Sequence, residues 1–297
     1  MKFIVLVVII LCYFLANIFQ NRLSGSLENR IYPANLFQVV WMLLAIIVFA
    51  VIGTSTDGLH FSKYTVTMGA LAGVCTIAGG MCLLGAMATG PLSLTILIFS
   101  MYVIVPPALA VPFLGEEITV CQLIGMIIIL AVLIFSNYSG TEEKQSKSHK
   151  WWLLCLGSVL GMGLANYIMK VHQYHLPDQD IWEYSIASYM AGVVMAGIVG
   201  TIFFSREKKK TEFQPYNFSW KSFWAPAVGM AVTEGMANLG NLYNASRLPA
   251  IVIYPVSQLG TLMLTVLFGL IVLKEKLTKV SAVCLVLGMA AIVLMNF

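Results

Sequence analysis

The sequence predicts an all-α integral membrane protein: ten transmembrane helices arranged as two inverted five-helix repeats. Three observations predict it. The 297 residues are 59% hydrophobic and only 10% charged, against roughly 25% charged in a soluble domain. Apolar runs of about the 17–25 residues needed to cross a hydrocarbon core recur along the whole chain, with short polar joints between them. The second half also repeats the punctuation of the first after an odd number of runs.

The runs are Phe3 to Arg22, Ala34 to Gly53, Thr65 to Ala88, Leu92 to Leu114, Thr119 to Ser136, Trp151 to Val171, Tyr184 to Phe204, Ser222 to Asn244, Ala250 to Leu273 and Thr278 to Met295. The first begins like a secretory signal, with Lys2 before an apolar block, but no small-x-small cleavage site follows, so it reads as a retained helix. It carries Tyr13, Asn17 and Asn21 at i, i+4 and i+8, with Gln20 beside them. Such a stripe is expected to face protein rather than lipid.

In the second run Gln38 and Trp41 suit a membrane-interface anchor. Gly69, Gly73, Gly79 and Gly80 of the third are small residues that let another helix approach closely. Pro106, Pro107 and Pro112 each remove a backbone donor, so the fourth run is expected to kink. Lys170 and Glu183 lie near run ends and are expected to snorkel to the interface. The six cysteines fall inside apolar runs without a C-x-x-C spacing and read as small buried hydrophobes.

Residues 137–150 form the longest polar joint near the middle and divide a first unit, 1–136, from a second, 151–297. Gly163 to Lys170 can be laid on Phe14 to Asn21, and both copies hold an Ala-Asn pair. Ala86 to Thr119 aligns without gaps on Ala245 to Thr278, so that Glu116-Glu117-Ile118-Thr119 mirrors Glu275-Lys276-Leu277-Thr278. Five helices per copy is an odd number, which sets the two copies in opposite orientations. Inverted repeats of this kind are the architecture of secondary transporters, with the substrate held near the midplane between the halves.

The chain resembles the drug/metabolite transporter superfamily, specifically its ten-helix members with two EamA-type repeats. The residues that carry the resemblance are the two Glu-x-Ile/Leu-Thr junctions, the helix pairs before them, and the stretch from Leu248 through Tyr254-Pro255 and Ser257-Gln258 to Thr278. The resemblance implies transport of a small organic molecule by alternating access, with amino acids, drugs and other metabolites among the family's cargoes. It also implies cytoplasmic termini. In the four-helix small multidrug resistance relatives the proton-binding glutamate lies on the first helix; here that helix has no carboxylate.

The carboxylate within the bilayer is instead Glu234, about 18 Å along its helix at 1.5 Å per residue, with Asn238 and Asn241 on the same face at i+4 and i+7. An ionisable group at that depth is a functional hypothesis by default. It is expected either to hold a proton and a cationic substrate in turn, or to tie its helix to those of Asn17 and Asn166. Tyr254, Ser257 and Gln258 are expected either to orient a substrate or to make ordinary interhelical hydrogen bonds. The expected substrate- or proton-binding set is therefore Glu234, Asn238, Asn241, Tyr254, Ser257, Gln258, Tyr13, Asn17, Asn21 and Asn166.

The expected activity is proton-coupled export of a small organic metabolite such as an amino acid. A rival is a multidrug or quaternary-ammonium exporter, for which Tyr13, Tyr243 and Tyr254 would supply cation-π contacts. A rival of another class is a non-transporting membrane partner subunit, for example in lipid flipping. An embedded enzyme would need a nucleophile-base pair or metal ligands, and the sequence has neither pattern. No cofactor, metal or nucleic acid is expected; the partners are the lipid bilayer, the substrate and a coupling proton. One chain already holds both halves, so a functional monomer is expected.

Thirteen of the seventeen basic residues fall on one side if the loops alternate, and only Lys2, Lys63, Lys170 and Arg247 on the other. Under the positive-inside rule this places both termini outside the cytoplasm of a plasma-membrane protein, the reverse of what the resemblance implies.

Overall fold

The computed structural model describes residues 2–24, 31–56, 58–90, 92–137, 149–207, 220–272 and 279–295. Among the described residues it is helical, with no strand. Helices α1 (Lys2–Ser24), α2 (Ile31–Thr56) and α3 (Lys63–Thr89) come first, followed by α4 (Leu92–Ser100), a 3-10 turn (Met101–Ile104) and α5 (Val105–Leu114). Helices α6 (Val120–Asn137), α7 (His149–His175) and α8 (Ile181–Glu207) follow. A π turn at Trp220–Trp224 opens α9 (Ala225–Ala245), and α10 (Ala250–Ile271) and α11 (Lys279–Leu294) complete the order. Most of the 137–150 joint lies outside the described residues.

Among the described residues, seven helical stretches are long and apolar enough to cross a membrane. Their outward faces carry apolar residues at helical spacing, such as Ile4, Val8, Leu11 and Leu15 on α1 and Val228, Val232 and Met236 on α9. Exposed apolar stripes of this length belong against lipid rather than water. Helix α9, which carries Glu234, Asn238, Asn241 and Asn244, is not among the seven.

The predicted kink in the fourth run is a break. With no N–H at Pro106 or Pro107, the carbonyls of Tyr102 and Val103 lose their i+4 donors, and the chain tightens into a 3-10 turn where the Val105 N–H reaches Tyr102 O. Gly115, at φ 66°, then ends α5 in the left-handed conformation that favours glycine. Thr119 and Gln122 open α6 with a reciprocal capping box, each side chain accepting the other's backbone N–H.

Helix α3 packs along both α7 and α8, α2 along α8, α1 along α9 and α10, and α6 along α11. Gly73 and Gly79, two of the five α3 glycines, lie at close crossings. A β-carbon at Gly73 would sit 2.0 Å from the Ser188 carbonyl oxygen, and one at Gly161 would sit 2.6 Å from the Gly79 α-carbon. Gly80 has nothing within 4 Å, so it is not part of that contact. Among the described cysteines all are free and buried or half-buried, as expected; the Cys284 side chain lies outside the described residues.

Three polar expectations are overturned. Trp41 is not an interface anchor: it is buried, donates its indole N–H to Gln38 Oε1 and packs edge-on against Tyr189 at 5.5 Å. Lys170 is 5% exposed rather than snorkelled, because α7 continues past Val171 to His175 and keeps it inside. Glu183 is buried as well, and accepts the His60 backbone N–H at 2.8 Å.

Candidate functional site

The helical wheel of α9 places Glu234 at the centre of its inward stripe, flanked by buried Ala227, Met230, Ala231, Asn241 and Ala245. Glu234 itself is only half-buried, so its open surface looks into the bundle. Among the described residues its carboxyl group has no hydrogen-bond or ion-pair partner. It does not tie α9 to Asn17 or Asn166. The hydroxyls of Tyr13 on α1, Tyr102 on the 3-10 turn and Tyr189 on α8 lie within its electrostatic reach, as does the Cys12 thiol.

Both asparagines are anchored to that tyrosine set. Asn238 Nδ2 donates to the Tyr189 hydroxyl at 2.5 Å, and Asn241 Nδ2 to the Tyr13 hydroxyl at 2.6 Å. Each tyrosine oxygen therefore accepts from an amide and keeps its own proton to donate. Tyr189 is held from behind by Trp41 and by Phe49, stacked at 5.7 Å. Tyr102 donates to Gln258 Oε1 at 2.9 Å, which ties the broken fourth run to α10. Asn241 Oδ1 and Ser257 Oγ are buried without a hydrogen-bond partner among the described residues.

Tyr254 and Asn166 belong to one end of this site rather than to its centre. The Tyr254 hydroxyl donates to the Asn166 backbone carbonyl at 2.7 Å and lies within reach of both Tyr13 and Glu116. Here Glu116 Oε1 and Lys170 Nζ form an ion pair at 2.7 Å. Lys170 Nζ also donates to the carbonyls of Ala245 and Leu248, at 2.7 and 2.6 Å, and Glu116 Oε2 accepts the Ala250 N–H at 2.8 Å. The pair thus closes the turn between α9 and α10 from both sides.

The same end of the bundle holds two more polar ties. Arg247 pairs with Asp178 and lies 3.5 Å over the Tyr243 ring, so Tyr243 is occupied and does not join a cargo cage. His172 is fully buried in α7 and in contact with Thr65 Oγ1 at 3.1 Å, while Thr65 donates to Asp180 at 2.6 Å. A shallow cavity of about 560 Å³ lined by Ser62, Tyr64, His175, Leu176, Gln179 and Asp180 lies at this end, away from Glu234.

At the opposite end the described residues of the inward faces are more exposed. On α1, Leu6, Ile9 and Tyr13 turn inward, and the first two are buried. Asn17 and Gln20 continue that inward face, yet both are exposed. On α10, residues 250–261 are buried apart from half-buried Gln258, whereas Thr265, one turn beyond Thr261, is exposed. Asn17 thus stands exposed on the inward face of α1 and makes no hydrogen bond to another helix among the described residues. The Asn21 side chain lies outside the described residues.

The structure thus brings Glu234, Asn238, Asn241 and Tyr13 together, joins Gln258 to them through Tyr102, and sets Tyr254 and Asn166 beneath them. Sequence reasoning missed Tyr102 and Tyr189. Tyr102 could have been found four residues before Pro106, where the break leaves a polar aromatic inside the bilayer; for Tyr189 no local signal exists.

A solved structure described only as "Crystal structure of protein" superposes with a TM-score of 0.77 over 99% of this chain and 95% of that one, at 11% sequence identity. The likeness is one of fold. No family model matches the chain, and no curated protein matches it.

Proposed function

We propose that the chain is a secondary transporter that moves a small organic metabolite across the plasma membrane by alternating access, as a proton-coupled exporter. The observation that carries this reading is a half-buried carboxyl group on the inward face of α9, without a partner among the described residues, beside a bundle end closed by the Lys170–Glu116 pair. That is what one end state of an alternating-access cycle requires. Glu234 would hold the proton and the cargo in turn, and the ties around Lys170 would open as the opposite end, beside Asn17, closes.

The ten-span, inverted-repeat reading counts α4, the 3-10 turn and α5 as one span. It is supported by the exchange of packing partners: α3 lies on α7 as α9 lies on α1, and α5 lies on α7 as α10 lies on α1, while α2 with α8 and α6 with α11 pair with their own counterparts. The resemblance to ten-helix EamA-type drug/metabolite transporters is consistent with this pattern. By the basic-residue count the end closed by the Lys170–Glu116 pair faces away from the cytoplasm.

Proton-linked flux in proteoliposomes tests the reading, with amino acids, amines, quaternary ammonium compounds, sugars and nucleosides screened on wild type and Glu234→Gln. A substrate-dependent proton signal that disappears in the variant supports it. Absence of flux for every compound would return the chain to the class of partner subunits.

A further inference from the structure

We propose that the Glu234 site takes a protonated amine that still carries N–H groups, and rejects both zwitterionic amino acids and quaternary ammonium ions. The proposal rests on Glu234 being the cargo seat.

The first ground is charge. Residues 3–21, 101–114, 184–204, 225–245 and 250–271, on the helices that carry Glu234 and the groups around it, contain no Lys, Arg or His. The two cations of the sealed end are already engaged: Lys170 by Glu116 and two carbonyls, Arg247 by Asp178 and the Tyr243 ring. A cargo carboxylate would meet Glu234 with no cation to offset it. The broken helix does not compensate, because Pro106 and Pro107 remove N–H groups from the first turn of α5, where an anion would otherwise bind.

The second ground is hydrogen-bonding sense. Asn238 and Asn241 each commit one amide N–H, to Tyr189 and to Tyr13, and Asn241 holds an acceptor oxygen beside them. Asn241 is 3% exposed and its Oδ1 has no partner among the described residues. Together with the Glu234 carboxylate, one face of α9 offers acceptors and asks for donors. An ammonium or a secondary amine supplies them. A quaternary nitrogen has no N–H and would leave the same oxygens buried and unpaired, the situation that buried polar groups penalise most.

Equilibrium binding to the full-length protein in nanodiscs decides the matter, with three probes that share one ring: phenethylamine, phenylalanine and trimethylphenethylammonium. The expected result is that phenethylamine binds at least about tenfold more tightly than either relative. Glu234→Gln should lose about tenfold or more for the amine, Glu234→Asp should regain part of it, and Asn241→Leu should narrow the preference over the quaternary compound, with melting temperatures confirming that each variant is folded. Equal or tighter binding of phenylalanine or of the quaternary probe, or no amine binding at millimolar concentration, would overturn the proposal. Amine binding without flux in proteoliposomes would leave the ligand class standing and remove the transporter reading; amino-acid flux without amine binding would do the opposite.

Discussion

Lys170 and Glu116 form an ion pair in which each partner also caps a different helix end: the ammonium closes the last carbonyls of α9, and the carboxylate closes the first N–H of α10. One partner comes from the first half of the chain and the other from the second. Removing one charge strands the other and several backbone groups with it, at a cost of about 3–5 kcal/mol for a buried pair. Thermal unfolding in detergent should therefore show Lys170→Met strongly destabilised, with the double variant Lys170→Met, Glu116→Gln recovering part of the loss. Equal melting of wild type and the single variant would rule out a structural role for the pair.

Access should differ at the two ends. Cysteines introduced at Asn17 and Thr265 should react with a water-soluble maleimide from the side that carries most of the basic loops, while one at Ser257 should not react in the resting protein. Reaction at position 257 from the side of the termini would show that the sealed end is open. Lys170→Ala should raise labelling at Leu248→Cys, whose carbonyl the lysine holds.

Glu234→Gln removes the charge and keeps the shape. Flux driven by an imposed pH gradient should fall by about tenfold or more, the size of effect that follows when a proton carrier is lost. Exchange of cargo across a membrane with equal pH on both sides is the control. Full pH-driven flux in the variant would remove Glu234 from the coupling step.

Tyr189→Phe takes away the acceptor of the Asn238 amide, and Tyr13→Phe that of Asn241. Leaving a buried amide unpaired costs about 1–3 kcal/mol. Both variants should lose cargo affinity more than they lose melting temperature, because the freed amide can turn its N–H toward the cargo. Unchanged affinity in both would separate the asparagines from the site.

The glycines of α3 give a paired test of packing. Gly73→Ala places a β-carbon against the Ser188 backbone, which cannot yield as a flexible side chain could, and should cost about 1–3 kcal/mol or more. Gly80→Ala meets nothing within 4 Å and should melt like wild type or slightly higher. The order of the two melting temperatures is the readout.

The helices were legible in the sequence because a chain in lipid must satisfy its backbone within each span, so apolar run and helix coincide. The Pro106-Pro107 break was legible for the same local reason. The inward face of α9 could be read from the spacing of Glu234, Asn238 and Asn241 alone. Tyr189 and Trp41 could not be placed, since what they do depends on α2, α8 and α9 meeting, and residue spacing within one helix does not report its neighbours. Lys170 was misread for a related reason. The apolar run ends at Val171, but His172 and Gln173 find partners in Thr65 and Gln179 that carry the helix one more turn and bury the lysine.

On the proposed repeat reading, the two copies differ most at the candidate site. At the constant offset between the two copies, the α3 residues opposite Glu234, Asn238 and Asn241 are Cys75, Gly79 and Cys82, and there the backbones of α3 and α7 touch. On that reading one copy forms a packed seam and the other carries the proposed seat. The stoichiometry follows: each chain offers a single occupancy, so binding should saturate at one molecule per chain with a Hill coefficient of one. Proton and cargo, sharing that seat, would be exchanged by competition rather than carried side by side.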